Sequence, residues 1–288
     1  MNPRYRKGIF ITVKRIVTIQ DISCIGKCSL TVALPIISAM GVETAVLPTA
    51  VLSTHTIFSD FTFADLTDQI RPIAEHWKKE QFTFDAIYTG YLGSFEQIRL
   101  SCAFMEDFKE KDTMIFVDPV MADNGKLYAG FDMDFAREMK KLCSRADVIM
   151  PNLTEAAFLT DTPYWEDPDE AYLSELLEKL SSLGPRYVVL TGFSPASDRI
   201  GAIAMEAASG RIFRYDTQKQ PKSYHGTGDI FASTLVGGMM NGFSLEEAVK
   251  TACGFTAECI RLTIANPDSR IYGVDFEAAL PMLLKHTI

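Results

Sequence analysis

The stretch Gly226-Thr227-Gly228-Asp229 is the strongest candidate for chemistry in this chain of 288 residues. Its two glycines allow backbone geometries that turn successive N–H groups toward one point, and a helix beginning near Thr227 would direct the positive end of its dipole there. Such a cradle binds a phosphate group. Asp229 would lie in the first turn of that helix, where its carboxylate can accept a proton from a hydroxyl attacking the bound phosphoryl group. The pattern therefore favours phosphoryl transfer.

The same four residues also have a purely structural interpretation. Glycine before a helix and aspartate in its first turn are common in helix entry and capping, where no ligand is involved. A pattern this short does not separate the two interpretations, so the polar residues elsewhere in the chain must decide between them.

A second polar set follows the buried strands that the sequence predicts. Because the carboxyl ends of parallel strands lie along one edge of a sheet, we expect these residues to meet in one crevice. The carboxylates of Asp118, Asp123 and Glu155 have no basic neighbour in sequence, and they suit a hard cation such as Mg²⁺. Asp118 and Asn152 taken singly are more often helix caps, which is the alternative. The set comprises Asp118, Asp123, Asn152, Glu155 and Thr191.

Two histidines and two lysines near the motifs have open roles. His55 is flanked by hydroxyl residues, and we favour a role in holding its loop by hydrogen bonds over a catalytic role. His225, directly before the cradle, could contact phosphate or shape the turn. Lys219 and Lys222 lie in a turn-rich segment that could cover a nucleotide, or they could belong to a solvated charged run.

An α/β sheet must position these side chains. Near-continuous apolar runs alternate with amphipathic helices, which predicts a mostly parallel central sheet with helices on both faces. We expect strands at residues 15–20, 44–51, 85–89, 114–117, 148–150 and 187–190, and an edge hairpin at 200–205 and 211–215. Helices are expected at 29–40, 65–80, 95–109, 131–143 and 229–241, with a last helix from Ser244 to the break at Asn266-Pro267.

The sequence shows no internal repeat and no low-complexity linker. Residues 15–288 are therefore expected to form a single domain, preceded by an N-terminal extension at residues 1–14. The apolar part of that extension is too short for a signal peptide or a membrane span.

Composition and charge exclude several functional classes. The net charge of −9 argues against nucleic acid and against an anionic membrane as partners. The six cysteines have no paired spacing and there are four histidines, which is poor material for zinc. We expect reduced thiols and a cytoplasmic location.

Five segments together resemble the pyridoxal kinases of the ribokinase-like superfamily, over a stretch from about Ile16 to beyond Asp229. The resemblance implies a ribokinase-like three-layer sandwich. It also implies ATP-dependent phosphorylation of the 5′-hydroxyl of a B6 vitamer, namely pyridoxal, pyridoxamine or pyridoxine. The segments are Thr49 to Thr56, Thr89-Gly90-Tyr91-Leu92-Gly93-Ser94, Asp118-Pro119-Val120-Met121, Pro151-Asn152-Leu153-Thr154-Glu155 and Gly226-Thr227-Gly228-Asp229.

On the acceptor side, the resemblance implies that Asp229 is the base that takes the proton from the 5′-hydroxyl. The cradle residues Gly226, Thr227 and Gly228 would bind the transferring phosphate. Thr49 and Tyr91 would line the pyridine pocket, with His55 in the same loop region.

On the nucleotide side, the resemblance implies that Asp118 and Glu155 order Mg²⁺ together with water. Asn152, Thr191 and Thr227 would meet the phosphates of ATP. A monovalent cation is a further candidate cofactor. Members of the family are commonly homodimers, which makes a homodimer the expected assembly.

One residue departs from the family pattern. Where the first strand ends, members place a small hydroxyl residue that meets the ring nitrogen, and here Asp21 stands. A carboxylate would favour a protonated pyridinium, or it could turn outward and leave Ser23 to make the contact. We hypothesise that Asp21 biases the choice of vitamer, toward pyridoxamine.

Three other functions are compatible with parts of the sequence. Hydroxymethylpyrimidine kinases share the fold, the Asp-Pro-Val-Met segment and the cradle, so they are the main alternative; the Thr-His-Thr and Thr-Gly-Tyr-Leu-Gly segments favour pyridoxal kinases. Sugar kinases usually carry a β-lid inserted early, which the sequence lacks. A nucleotide- or B6-binding protein without turnover would have no need of a base at Asp229.

Overall fold

A sheet of nine strands runs through the centre of the protein, whose computed structural model describes residues 13–284. In chain order the strands are β1 Arg15–Ser23, β2 Glu43–Leu52, β3 Phe63–Asp65, β4 Ala86–Thr89, β5 Met114–Val117, β6 Ala122–Asp123, β7 Lys126–Leu127, β8 Val148–Ile149, β9 Tyr187–Phe193, β10 Arg199–Glu206 and β11 Arg211–Gln218. The order in the sheet is β11-β10-β9-β8-β5-β4-β1-β2-β3, and β6 and β7 form a separate hairpin. The pairings from β2 through β9 are parallel, whereas β3, β10 and β11 add antiparallel strands at the two edges.

Helices cover both faces of this sheet. They are α1 Leu30–Ala39, α2 Thr67–Lys79, α3 Phe95–Phe108, α4 Met133–Cys143, α5 Leu153–Leu159, α6 Glu170–Ser181, α7 Thr227–Met240 and α8 Leu245–Ala265, followed by two short 3₁₀ helices at Phe276–Ala278 and Leu280–Met282. Helices α2 to α6 pack on one face of the sheet, and α1, α7 and α8 pack on the other. The predicted mostly parallel α/β sheet, covered on both faces, is confirmed.

Alternation along β1 shows how the sequence builds the two layers. Val17 and Ile19 point into the core under α2 to α6, while Ile16 points into the core under α1, α7 and α8. All three side chains are fully buried. Because successive residues of a strand face opposite sides, a strand with two buried faces must be apolar at nearly every position.

Two strands continue past the ends that the sequence suggested. β1 extends to Ser23, so Asp21 lies within this strand. β9 extends to Phe193, so Thr191 lies within β9. In both cases the polar residue suggested the end of the strand. The backbone beyond it nevertheless stays paired with the neighbouring strand. In β1 the pairing with β2 shifts register between Gln20 and Ile22.

Two helices between residues 150 and 187 were not predicted. Each begins at a capping side chain: Asn152 accepts the N–H of Glu155 at the start of α5, and Asp169 accepts the N–H of Tyr172 at the start of α6. The helical spacing of the buried leucines of α6, Leu173, Leu176, Leu177 and Leu180, was a readable signal. The short strands β3, β6 and β7 were also missed.

The predicted extension lies outside the described residues except for Val13 and Lys14. Over the part of the chain that the structure describes, none of the helices has the length and apolar character needed to cross a bilayer.

Candidate active site

A cavity of about 380 Å³ lies at the carboxyl edge of the parallel strands. It brings together the cradle at 226–229 with the polar residues expected at this edge, and the β10–β11 hairpin closes one side of it. Its polar lining includes Asp118, Asp123, Asn152, Glu155, Thr191, Thr227 and Asp229. Residues far apart in sequence therefore meet where a parallel sheet is expected to bind its ligand.

The cradle forms the first turn of α7. Gly226 precedes the helix in the left-handed conformation, with φ of 79° and ψ of 0°. A Cβ atom at this position would lie 1.9 Å from the carbonyl oxygen of Lys27, so no other residue fits without moving the backbone. At Gly228 a Cβ would meet nothing within 4 Å, which leaves open space at the helix start. The first N–H groups of a helix have no partner inside the helix, so this space suits an anion.

Asp229 lies in the first turn of α7, partly exposed at the cavity wall. Burial raises the pKa of its carboxyl to about 7, the Ser29 backbone N–H lowers it, and the negative charge of Asp21 raises it. A carboxylate with a pKa near neutrality is a stronger base than an ordinary aspartate and is still ionised in part at neutral pH.

Asp118 and Glu155 are two buried carboxylates, 7% and 3% exposed, on the cavity wall. Burial raises the pKa of both, and that of Glu155 reaches about 8. The charges of Glu155 and Asp229 raise the pKa of Asp118 further. A bound cation would relieve this mutual repulsion, so the donor chemistry fits a hard metal ion.

The three carboxylates expected to bind Mg²⁺ all line the cavity, and the metal site stays a prediction. Within residues 13–284, no group of three or more histidine, cysteine, aspartate or glutamate side chains converges closely enough to hold a metal ion. Asp123 is exposed, and its carboxylate accepts the backbone and side-chain N–H groups of Asn124 in the β6–β7 turn. A cation here would need water and ligand oxygens to complete its coordination, as is usual for Mg²⁺.

Asn152 is a helix cap, as the alternative interpretation held. Its Oδ1 accepts the N–H of Glu155, and its Nδ2 donates to the carbonyl of Ala122 at 2.9 Å. Glu155 completes a capping box by accepting the N–H of Asn152 at 2.9 Å, and it also accepts the N–H of Met121 at 3.1 Å. These side chains thus tie β6 and α5 together at the cavity wall.

A second set of predicted residues does not line the cavity. We call Asp21, Ser23, Thr49, His55 and Tyr91 the strand-end group, because they lie in or just after β1, β2 and β4. The charge of Asp21 raises the pKa of both Asp229 and Tyr91, which places it near each of them. Asp21 thus links the strand-end group to Asp229, and the His55 ring contacts His225 in the cavity lining.

Asp21 points into the protein. It is 5% exposed; burial raises its pKa, and the Ser29 and Ser23 side chains lower it. The alternative in which Asp21 turns outward is therefore wrong, whereas a contact between Ser23 and the acceptor ring stays a prediction. The Ser23 side chain interacts with Asp21.

Thr49 and Tyr91 offer a hydroxyl and an aromatic wall. Thr49 is 1% exposed, and its Oγ1 has no hydrogen-bond partner among the described residues. The Tyr91 ring stacks on Phe131 with 5.9 Å between ring centroids, and Phe131 stacks on Phe135 at 3.8 Å. A flat ring could lie against such a wall.

His55 holds its loop, which agrees with the favoured interpretation. Its backbone N–H donates to the Ile25 carbonyl at 2.8 Å, and its Nδ1 accepts the N–H of Ile57 at 3.0 Å. Its ring also contacts that of His225, with 4.7 Å between centroids. Burial and the neighbouring His225 lower the pKa of His55, so the ring is neutral at pH 7.

The cavity also contains residues that sequence reasoning missed. Tyr128 lines it beside the carboxylates, and burial with their negative charges raises its pKa well above the ordinary range. Gln218 and Gln220 line it from the hairpin side, whereas Lys219 and Lys222 are exposed and lie outside the lining. The lysines thus agree with the interpretation as a solvated charged run.

Comparison with solved structures supports the same architecture. A proposed phosphomethylpyrimidine kinase from Bacteroides thetaiotaomicron VPI-5482 is 42% identical, with a TM-score of 0.91 over 96% of both chains. A second crystal form of that protein contains pyridoxal. Pyridoxal kinase from Lactobacillus plantarum is 32% identical, with a TM-score of 0.88 over 95% of this chain and 98% of that one.

Curated sequences include the chloroplastic thiamine biosynthetic bifunctional enzyme TH1 of Arabidopsis thaliana, 30% identical over 239 residues. The match covers 77% of this chain and 42% of that enzyme. The family model described as phosphomethylpyrimidine kinase matches residues 34–272. The chain therefore belongs to the phosphomethylpyrimidine kinase family, within the ribokinase-like superfamily.

Proposed function

We propose that the protein transfers the γ-phosphoryl group of ATP to the 5′-hydroxyl of a B6 vitamer. The observation that carries this proposal is the position of Asp229: a carboxylate with a pKa of about 7 lies in the first turn of α7 on the cavity wall, and the charge of Asp21 in the strand-end group raises that pKa. A phosphoryl donor on one side and a hydroxyl on the other would meet at this carboxylate.

Two features favour a pyridine acceptor. The Thr-His-Thr and Thr-Gly-Tyr-Leu-Gly segments resemble those of pyridoxal kinases, and they supply His55 and Tyr91 of the strand-end group. The Bacteroides relative, 42% identical, was crystallised with pyridoxal. Hydroxymethylpyrimidine or its phosphate is the second candidate acceptor, because the family model and the thiamine-synthesis relative favour it.

The proposed reaction proceeds in one displacement. The acceptor hydroxyl gives its proton to Asp229 as its oxygen attacks the γ-phosphorus of ATP. The bond between that phosphorus and the bridging oxygen breaks, and ADP leaves with the electron pair. The N–H groups of residues 226–228 would stabilise the charge on the transferring group, since phosphoryl transfer depends mainly on positioning and charge stabilisation.

Asp118 and Glu155 would hold Mg²⁺ through water. Bound there, the ion would neutralise the charge on the phosphates of ATP. Thr191 lies on the same cavity wall and would meet the nucleotide. A monovalent cation, a homodimer and a cytoplasmic location stay predictions.

Asp21 and Thr49 would orient the acceptor ring. A buried carboxylate stabilises a protonated ring nitrogen, and the free hydroxyl of Thr49 can donate to or accept from a ring substituent. Tyr91 would cover one face of the ring.

ADP release from Mg-ATP, with and without pyridoxal, tests this proposal. Asp229→Ala should lower kcat by at least about 10²-fold, the usual scale for a lost general base, while the Kd for Mg-ATP stays within about twofold. Asp68→Ala is the matched control, because Asp68 also lies in the first turn of a helix but is exposed on α2.

Pyridoxal-dependent turnover that survives in Asp229→Ala would contradict the role of the base. Binding of pyridoxal and ATP without turnover in the wild type would indicate a binding protein instead.

A further inference from the structure

The segment joining β1 to α1, residues 24–29, lies directly against the cradle. We call it the β1–α1 loop. The carbonyl oxygen of Lys27 occupies the space that a Cβ at residue 226 would need, at 1.9 Å from it. The cradle backbone and the β1–α1 loop are therefore in van der Waals contact, and a shift of the loop would move or release Gly226.

The same loop reaches the catalytic carboxylate through Ser29. This residue has φ of 49° and ψ of −133°, a conformation that a non-glycine residue rarely adopts. The Ser29 backbone N–H interacts with Asp229 and lowers the pKa of its carboxyl. Such a conformation persists only where the surroundings hold it in place.

A segment near the C-terminus supplies this restraint. The Lys27 Nζ donates to Asp275 at 2.7 Å and to Glu277 at 2.9 Å. The Lys27 backbone N–H also donates to the Tyr272 carbonyl at 3.2 Å. Gly273 lies so close that a Cβ there would be 2.5 Å from the Lys27 Cβ.

The lysine and one of its partners are largely withdrawn from water. The Lys27 side chain is 14% exposed and that of Asp275 is 17% exposed, whereas Glu277 is 56% exposed. Ion pairs with restricted access to water are screened less than surface pairs. Removing the ammonium group would leave two neighbouring carboxylates without their shared cation.

We propose that Lys27 is a positioning residue, whose bonds to Asp275 and Glu277 hold the β1–α1 loop against Gly226 and Asp229. The inference rests on the proposed kinase function and assigns the C-terminal segment a part in it. Lys27 does not line the cavity. It acts through its own carbonyl and through the N–H of Ser29.

The test compares kcat and KM for Lys27→Met, Lys27→Arg and Lys14→Met in the full chain. Lys27→Met should lower kcat by about tenfold or more, because small displacements of catalytic groups have large effects on rate. Its KM for Mg-ATP should stay within about twofold, and Lys27→Arg, which can still bond both carboxylates, should restore most of kcat.

Lys14→Met is the control for loss of an ion pair as such. The Lys14 Nζ lies 2.7 Å from Asp85, the same distance as in the Lys27 pair, but at the amino end of β1 on the opposite edge of the sheet. This variant should keep the wild-type kcat.

Glu277→Gln provides a second test if Lys27→Met does not fold. It weakens the interaction between residue 277 and Lys27 and leaves the bond between Lys27 and Asp275 in place. It should lower kcat less than Lys27→Met would. Wild-type kcat in Glu277→Gln and in any folded Lys27→Met would overturn the positioning role. Absence of turnover in the wild type itself would overturn the proposed function, which keeps the two failures distinct.

Discussion

The cavity and the strand-end group meet at Asp229 but use their polar side chains differently. In the cavity wall, Asn152 and Glu155 are bonded to backbone groups. In the strand-end group, the Thr49 hydroxyl has no partner among the described residues, and Asp21 is buried beside two serines. Asn152 and Glu155 in the cavity wall thus shape the backbone, whereas the Thr49 hydroxyl of the strand-end group is available to a ligand.

This difference suggests which region determines specificity. A wall built from helix caps and backbone N–H groups suits the phosphate chain of a nucleotide, which is a ligand common to many enzymes. Free polar side chains in a buried pocket reject an acceptor that leaves them unpaired. We therefore expect substitutions in the cavity to change stability or turnover in general, and substitutions in the strand-end group to change the choice of acceptor.

The two cradle glycines should give the largest effects and separate structure from catalysis. Gly226→Ala should lower the free energy of unfolding by roughly 1–3 kcal/mol, because it forces strain and a clash with Lys27. Gly228→Ala should stay folded but lower kcat by about tenfold or more, since its methyl group enters the phosphate space. Urea unfolding and steady-state kinetics measure both. Equal stability of the two variants would contradict the steric role of Gly226.

The pH dependence of kcat/KM should report the environment of Asp229. The base acts only when it is deprotonated, and burial raises its pKa to about 7. Activity should therefore fall by about tenfold for each pH unit below that value. Asp21→Ser removes a negative charge that raises the pKa of Asp229, so its profile should shift to lower pH. An unchanged midpoint in this variant would show that the two carboxylates do not interact.

Asn152→Ala tests the cap interpretation of the cavity wall. Loss of the cap should lower the free energy of unfolding by about 1 kcal/mol. The KM for Mg-ATP should change by less than about twofold, because the side-chain atoms already have protein partners. A large rise in KM with unchanged stability would instead make Asn152 a nucleotide ligand.

Asp21→Ser should have the smallest effect on rate and a selective one. We expect the ratio of kcat/KM for pyridoxamine to that for pyridoxine to fall by at least about threefold, with the KM for Mg-ATP unchanged. Parallel assays on the B6 vitamers measure this ratio. An unchanged ratio would remove Asp21 from acceptor selection.

Much of the sheet and of the cavity followed from local sequence patterns. Apolar runs alternating with amphipathic helices predicted the parallel sheet, and its topology then placed Asp118, Glu155 and Thr191 at one edge. Helix-entry chemistry predicted the start of α7 within one or two residues of the observed Thr227. These signals are short-range, so a single sequence contains them.

Other features depend on contacts that local patterns do not encode. Asn152 could have been a cap or a ligand, because both roles use the same residue type after a strand. The bond between Lys27 and Asp275 joins residues 248 positions apart, and nothing near either residue predicts the other. The polar residues Asp21 and Thr191 suggested strand ends, but backbone pairing continued past them.

If the strand-end group selects a B6 vitamer, pyridoxal should be a better phosphoryl acceptor than hydroxymethylpyrimidine. Competition between pyridoxal and hydroxymethylpyrimidine for limiting Mg-ATP, with both phosphorylated products quantified by mass spectrometry, tests it most directly. We expect pyridoxal 5′-phosphate to be the main product of the wild-type protein, and Asp229→Ala to form neither product at a comparable rate. Hydroxymethylpyrimidine phosphate as the main product would contradict the claim and make the pyrimidine the acceptor.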